Sequence, residues 1–144
     1  MADSPPIYLV QPAAGDPASA GHDVRRLAAL APPLGLLSIA AYLERSGLET
    51  RVHDFNAWPD SRETFRSDLM RDRPAFLGVT CVTATFNAGL RIARLAKETV
   101  PGIRVVLGGP HASAIKERVL ADYPEIDFCA IGEGEETFRR LVTG

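Results

Sequence analysis

Five short apolar runs recur along the chain, at residues 7–10, 50–55, 76–81, 103–107 and 126–131. Each has the length and the β-branched or aromatic content of a strand. The segments between them carry a helical period instead. In residues 34–45 the apolar positions Leu36, Ile39, Ala40 and Leu43 fall on one face, and Ser46-Gly47 reads as a helix stop. Residues 61–71 predict a polar surface helix with Ser61 as its N-cap. A helix starting in the stretch 83–87 and running to about Glu98, with Leu90, Ala93, Leu95 and Ala96 inward, is closed by Pro101-Gly102. Two more are expected at residues 113–121 and 135–141. The second strand is half polar and so belongs near a sheet edge. Residues 13–31 form a long irregular connection in which 25–31 could make a helical turn, and connections of that length tend to be functional.

Strand and helix alternate five times and no hairpin signal intervenes. Right-handed crossovers then predict an α/β fold: a three-layer, doubly wound, parallel five-stranded sheet, flavodoxin-like (Rossmann-like), in the order 2-1-3-4-5. The 144 residues make one domain. The chain stops soon after its last helix begins, as expected for a domain cut from a longer protein.

Composition narrows the partners. The net charge is -2 and no basic stripe is present, which argues against nucleic acid. No apolar run approaches the roughly 20 residues of a membrane span. The first residues lack a signal-peptide pattern, so a cytoplasmic protein is expected. Cys81 and Cys129 lie far apart in apolar runs, as buried free thiols do in a reducing compartment.

Candidate chemistry gathers at the carboxyl ends of three strands. Thr80, Cys81, Thr83 and Thr85 follow strand three; Gly108, Gly109, Pro110 and His111 follow strand four; Gly132, Glu133 and Gly134 follow strand five. In a parallel sheet these ends form one rim, where open α/β sheets bind ligands. Threonine hydroxyls can bond polar ligand atoms, and glycines let bulk approach the backbone. Each feature also has a plain reading: a tight turn for Gly108-Gly109, a helix cap or strand propensity for each threonine. No Gly-x-x-x-x-Gly-Lys-Ser/Thr occurs, which excludes a P-loop ATPase. Gln11-Pro12-Ala13-Ala14-Gly15 does not match a dinucleotide fingerprint, and Gly132-x-Gly134-x-x-Thr137 follows the wrong strand for one. His111 is the histidine best placed to line the rim. His22, in the long loop, is the candidate axial metal ligand beside the simpler reading of a solvated loop residue. His53 and Asp54 read as structural, although an acid ending a strand can also bind a sugar hydroxyl.

Four segments together resemble a known family: Pro32-Pro33-Leu34-Gly35-Leu36-Leu37, Leu77-Gly78-Val79-Thr80, Val106-Leu107-Gly108-Gly109-Pro110-His111-Ala112 and Ile131-Gly132-Glu133-Gly134-Glu135. In this order and spacing the chain resembles the cobalamin-binding domain at the amino end of cobalamin-dependent radical S-adenosylmethionine enzymes. The resemblance implies that the nucleotide tail of cobalamin enters the carboxyl edge of the sheet. It implies that the 80–85 segment lines one side, that Gly108-Gly109 lets the tail pass, and that residues 132–134 close the other side. The Asp-x-His-x-x-Gly motif of other cobalamin domains is missing after strand one, which implies base-off cobalamin without a histidine ligand, or with His22 in that place. The Cys-x-x-x-Cys-x-x-Cys cluster motif of the radical enzymes is also missing. S-adenosylmethionine and a [4Fe-4S] cluster are therefore expected only in a further C-terminal domain, or in a partner enzyme, and the parent is expected to be a methyltransferase. The alternatives are a stand-alone cobalamin carrier or sensor, and a nucleotide-binding α/β domain that has lost cobalamin.

Overall fold

The computed structural model describes residues 4–13, 32–58, 62–115 and 118–144. Five strands, β1 (Ile7–Gln11), β2 (Thr50–Asp54), β3 (Phe76–Thr80), β4 (Arg104–Gly108) and β5 (Phe128–Cys129), form one sheet in the order β2-β1-β3-β4-β5. Every pairing is parallel, as the alternation of elements predicts. β1, β3 and β4 are almost wholly buried because helices cover both faces. β2, with Arg51, His53 and Asp54, takes one edge. β5 takes the other: Phe128 and Cys129 of the apolar run 126–131 lie in register with β4, and the flanking Asp127 and Ala130 amides donate to Val105 and Leu107.

Among the described residues, six α-helical segments connect and cover the strands: α1 (Leu34–Arg45), α2 (Arg62–Asp72), α3 (Phe86–Thr99), α4 (Pro110–Ile115), α5 (Arg118–Asp122) and α6 (Gly134–Thr143). A 3-10 turn, Thr83–Thr85, precedes α3. The helix expected at 113–121 is described over α4 and α5, on either side of residues 116–117, and it starts earlier, at Pro110, a residue whose fixed φ and missing N–H suit a helix start. α1 ends as its sequence predicts. Gly47 takes φ +81°, the Gly47 amide donates to the Glu44 carbonyl and the Leu48 amide reaches back to Leu43, which closes the last turn.

The alternation of side chains along each strand divides the interior in two. On one face Tyr8, Val10, Leu77, Val79, Val105 and Leu107 meet Phe65 and Leu69 of α2, Phe86, Leu90, Ala93 and Ala96 of α3, and the short helices α4 and α5. On the other face Ile7, Leu9, Phe76 and Val106 meet Leu36, Ala40 and Leu43 of α1 and Phe138 of α6. This second core is the smaller one. Its upper end, toward the carboxyl ends of the strands, is where the site lies.

Candidate functional site

The strand residues facing α1 and α6 shrink toward the carboxyl end of the sheet. The register places Leu9 beside Gly78 and Gly78 beside Val106; one step higher it pairs Thr80 with Gly108. Ala130, just beyond β5, continues this small-residue surface. The result is a cavity of about 360 Å³ between the sheet edge and the two helices. Leu36 and Ile39 of α1 and Phe138 of α6 wall it on the helix side, while Val106, Gly108 and Ala130 wall it on the sheet side. Thr80, Glu133 and Glu135 supply polar side chains to the lining.

The two turns that frame the cavity are built by glycines with positive φ, Gly109 at +96° and Gly132 at +78°. They differ in what surrounds them. A Cβ on Gly109 would lie 2.6 Å from the Cys81 carbonyl oxygen and 2.9 Å from Thr80 Oγ1. That close approach straps the end of β4 to the end of β3, with the Cys81 amide donating to Gly108 (3.0 Å) and the His111 amide donating to Cys81 (3.2 Å). The space next to Gly109 is thus filled by backbone. Gly108 is open by contrast: the nearest atom to a Cβ there is the Ala130 methyl, at 3.9 Å.

Hydrogen bonds draw α1 and α6 together along one side of the cavity. Ser38 donates to Glu135 Oε1 (2.9 Å) and Tyr42 donates to Glu136 Oε2 (2.8 Å). Hydrogen bonds from Arg139, then Arg140 and Tyr42, hold the Glu136 carboxyl well below the usual carboxylate range. A Cβ on Gly134 would come within 3.1 Å of Ile39 Cδ1, so α6 begins close against α1.

Of the residues expected at the rim, Thr80, Gly108, Gly109, Pro110, Gly132, Glu133 and Gly134 line the cavity. Cys81, Thr83, Thr85 and His111 do not. Cys81 has the opposite parity on its strand and is buried in the larger core, where burial pushes its thiol up to about 12. Thr85 is buried as a local cap: its hydroxyl accepts from the Val82 amide and donates to the Val82 carbonyl. His111 turns to the α3 side. Its Nδ1 lies 3.1 Å from Thr83 Oγ1, its ring packs 4.4 Å from that of Phe86, and both His111 and Thr83 line a separate cleft with Tyr123. His22 lies outside the described residues, as does Ser61, the expected N-cap of α2. The sequence reading omitted Ile39, Gly78, Val106, Ala130, Glu135 and Phe138 from the site, although Gly78 and Val106 follow from strand parity with Thr80 and Gly108.

Residues 22–142 match the sequence model of the B12-binding domain. The chain belongs to the B12-binding domain family. This B12-binding domain is 31% identical over 111 residues to an uncharacterized methyltransferase of Pyrococcus horikoshii, covering 77% of the chain and 24% of that protein. It is 33% identical over 114 residues to the anaerobic magnesium-protoporphyrin IX monomethyl ester cyclase of Rubrivivax gelatinosus, covering 78% of the chain and 20% of the cyclase. The cobalamin-dependent radical SAM methyltransferase TokK of Streptomyces tokunonensis shares 36% over 69 residues, 48% of the chain and 10% of TokK. Among solved structures, the radical S-adenosylmethionine methyltransferase TsrM of Kitasatospora setae, determined with cobalamin and a [4Fe-4S] cluster bound, superposes with a TM-score of 0.74. That match covers 97% of the chain and 24% of TsrM at 22% identity, and it establishes the shared fold. The B12-binding domain thus spans about a quarter or less of the length of these relatives. Cobalamin is the cofactor of the family, and the flavodoxin-like sheet order agrees with it. No helix among the described residues is long and apolar enough to cross a membrane.

The residues present suit that cofactor. A cavity of about 360 Å³ is at the small end for a bound small molecule, and is matched to one arm of a large cofactor rather than the whole of it. Its sheet wall is built from positions whose side chains are absent or small, and its carboxylates and hydroxyl can bond the sugar and amide groups that cobalamin carries.

Proposed function

We propose that this domain binds cobalamin in the base-off, histidine-off form, with the nucleotide tail inside the cavity between the sheet edge and helices α1 and α6. The observation that carries this reading is the open wall at Gly108 and Ala130, in a fold whose interior one register step lower, at Gly78 and Val106, is filled by Leu9 and Phe138. A tail held there is withdrawn from the cobalt, so the base is off. The sequence that follows β1 from Pro12 carries no Asp-x-His-x-x-Gly motif, which supports a cobalt without a histidine below it.

When bound, cobalamin supplies a cobalt centre that can accept and hand on a methyl group. The chain's own part is to bind and orient. Leu36, Ile39 and Phe138 exclude water from the tail, Thr80 and Glu133 bond its polar groups at the opening, and the Ser38–Glu135 pair fixes the helix wall. We further propose that the domain serves a longer protein in which a C-terminal radical S-adenosylmethionine domain performs methyl transfer. Similarity to TokK and to the Pyrococcus methyltransferase supports this role.

The test is to mix the purified chain with hydroxocobalamin, desalt it and record the visible spectrum, with cobinamide, which has no nucleotide tail, as the comparison. Retained corrinoid with a base-off spectrum, and cobinamide held at least tenfold more weakly, is the expected result. A colourless protein fraction, or equal retention of cobinamide, overturns the reading.

A further inference from the structure

Among the described residues, the inner part of the cavity presents no polar side chain to a ligand. Its side chains are Leu36, Ile39, Val106, Ala130 and Phe138. The strand backbone behind the sheet wall is engaged: β3 and β4 pair in register, with Gly78 opposite Val106 and Thr80 opposite Gly108, and the Ala130 amide donates to Leu107 at 2.8 Å. The polar side chains, Thr80, Glu133 and Glu135, sit at the opening, and Glu135 already accepts from Ser38.

Resting on the cobalamin reading above, we propose that this cavity selects among cobamides by their lower base, accepting the apolar outer edge of dimethylbenzimidazole and rejecting a purine. Dimethylbenzimidazole presents two methyl groups to the inner wall, and these gain apolar contact. Adenine presents an amine and ring nitrogens there, which leave water and meet only hydrocarbon. A buried polar group without a partner weakens binding by roughly 5- to 150-fold. Val106 is the residue placed to impose this choice, because it lies one register step inside Gly108 on the sheet wall.

The experiment is equilibrium dialysis of the chain against cobalamin, adeninylcobamide with the same upper ligand, and cobinamide, with the bound corrinoid read by its visible absorbance. Adeninylcobamide is expected to bind at least fivefold more weakly than cobalamin. Val106→Thr, which puts a hydroxyl in the inner wall at nearly constant shape, is expected to narrow that ratio several-fold. Ala130→Ser is the second variant, used if Val106→Thr does not fold. A native ratio below fivefold, or a ratio that neither folded variant lowers, overturns base selection and leaves the tail site standing. Cobinamide bound as tightly as cobalamin overturns both, since the tail is then not held at all.

Discussion

The ring of Phe138 lies over Gly78, in the volume a side chain at that position would need. A Cβ there would be 2.8 Å from Phe138 Cε2 and 2.8 Å from Leu9 Cδ2. Phe138 and Leu9 are both buried in the smaller core, so neither can move away without disturbing α6 or β1. Gly78→Ala is therefore expected to destabilise the domain by about 1–3 kcal/mol, the usual effect of overpacking a filled interior. Urea denaturation measures it. Combining Gly78→Ala with Phe138→Leu should cost less than the two single changes added together, because the smaller side chain makes room for the methyl.

The neighbouring glycines Gly108 and Gly109 should respond to substitution in opposite ways. Gly109 has φ +96° and faces the Cys81 carbonyl, so Gly109→Ala is expected to cost about 1–3 kcal/mol in stability whatever the ligand. Gly108 is unstrained and its side-chain direction is open, so Gly108→Val should leave the urea midpoint near that of the native chain. The valine instead fills the cavity, and cobalamin retention should fall by at least tenfold. Loss of stability without loss of retention in Gly108→Val would place the tail elsewhere.

Strand parity accounts for much of what the sequence did and did not reveal about the site. The five strands, their parallel order and the edge position of β2 all follow from apolar runs that alternate with helical periods. The membership of Thr80, Gly108, Gly132 and Gly134 in one rim follows from the topology. Cys81 is adjacent to Thr80 in sequence but projects to the opposite face, a distinction already present in the alternation of Phe76, Gly78 and Thr80 against Leu77, Val79 and Cys81. His111 diverges from Pro110 for a related reason: α4 begins at Pro110, and successive residues on a helix are rotated by about 100°. Pro110 faces the cavity and His111 meets Phe86. Ile39 and Phe138 were harder to assign. Which helix covers which face depends on how the whole chain winds, and the contact of Phe138 with Gly78 joins residues sixty positions apart.

His53 gives the domain a stability that depends on pH. Its ring packs 4.8 Å from that of Tyr8 and 4.9 Å from that of Phe65, and its buried Nε2 has no hydrogen-bond partner among the described residues. Burial lowers its pKa from the ordinary 6.5; Asp68 and Asp72 oppose the shift and Arg51 adds to it. The unfolded chain thus binds a proton that the folded one refuses. Its contribution is complete above pH 6.5 and declines as the pH falls below that value toward the lowered folded pKa. His53→Phe keeps the ring contacts and should flatten this part of a plot of urea midpoint against pH. An unchanged slope would assign the dependence to another group.

The two thiols should be unequal toward an aromatic disulfide reagent. Cys81 is fully enclosed, and burial pushes its pKa up to about 12, so at neutral pH it carries almost no thiolate. Cys129 is half-buried and its pKa is also raised by burial. One thiol, Cys129, is expected to react slowly in the native protein, and the second only in denaturant. Cys129→Ala should abolish the native-state reaction. Rapid labelling of Cys81 would show that the β3 end opens locally.

The taper of the smaller core, from Ile7, Leu9 and Phe76 at one end to Gly108 and Ala130 at the other, leaves this domain short of apolar burial where its helices α1 and α6 meet the sheet. Whatever fills the gap takes the place of side chains that the chain itself omits. Filling and folding are therefore linked by mass action. An occupant present at a hundred times its dissociation constant adds about 2.7 kcal/mol to the unfolding free energy, a large share of what a domain of this size possesses. The empty domain is the more readily unfolded and proteolysed form, so in a cell the supply of its ligand would set how much of the protein persists.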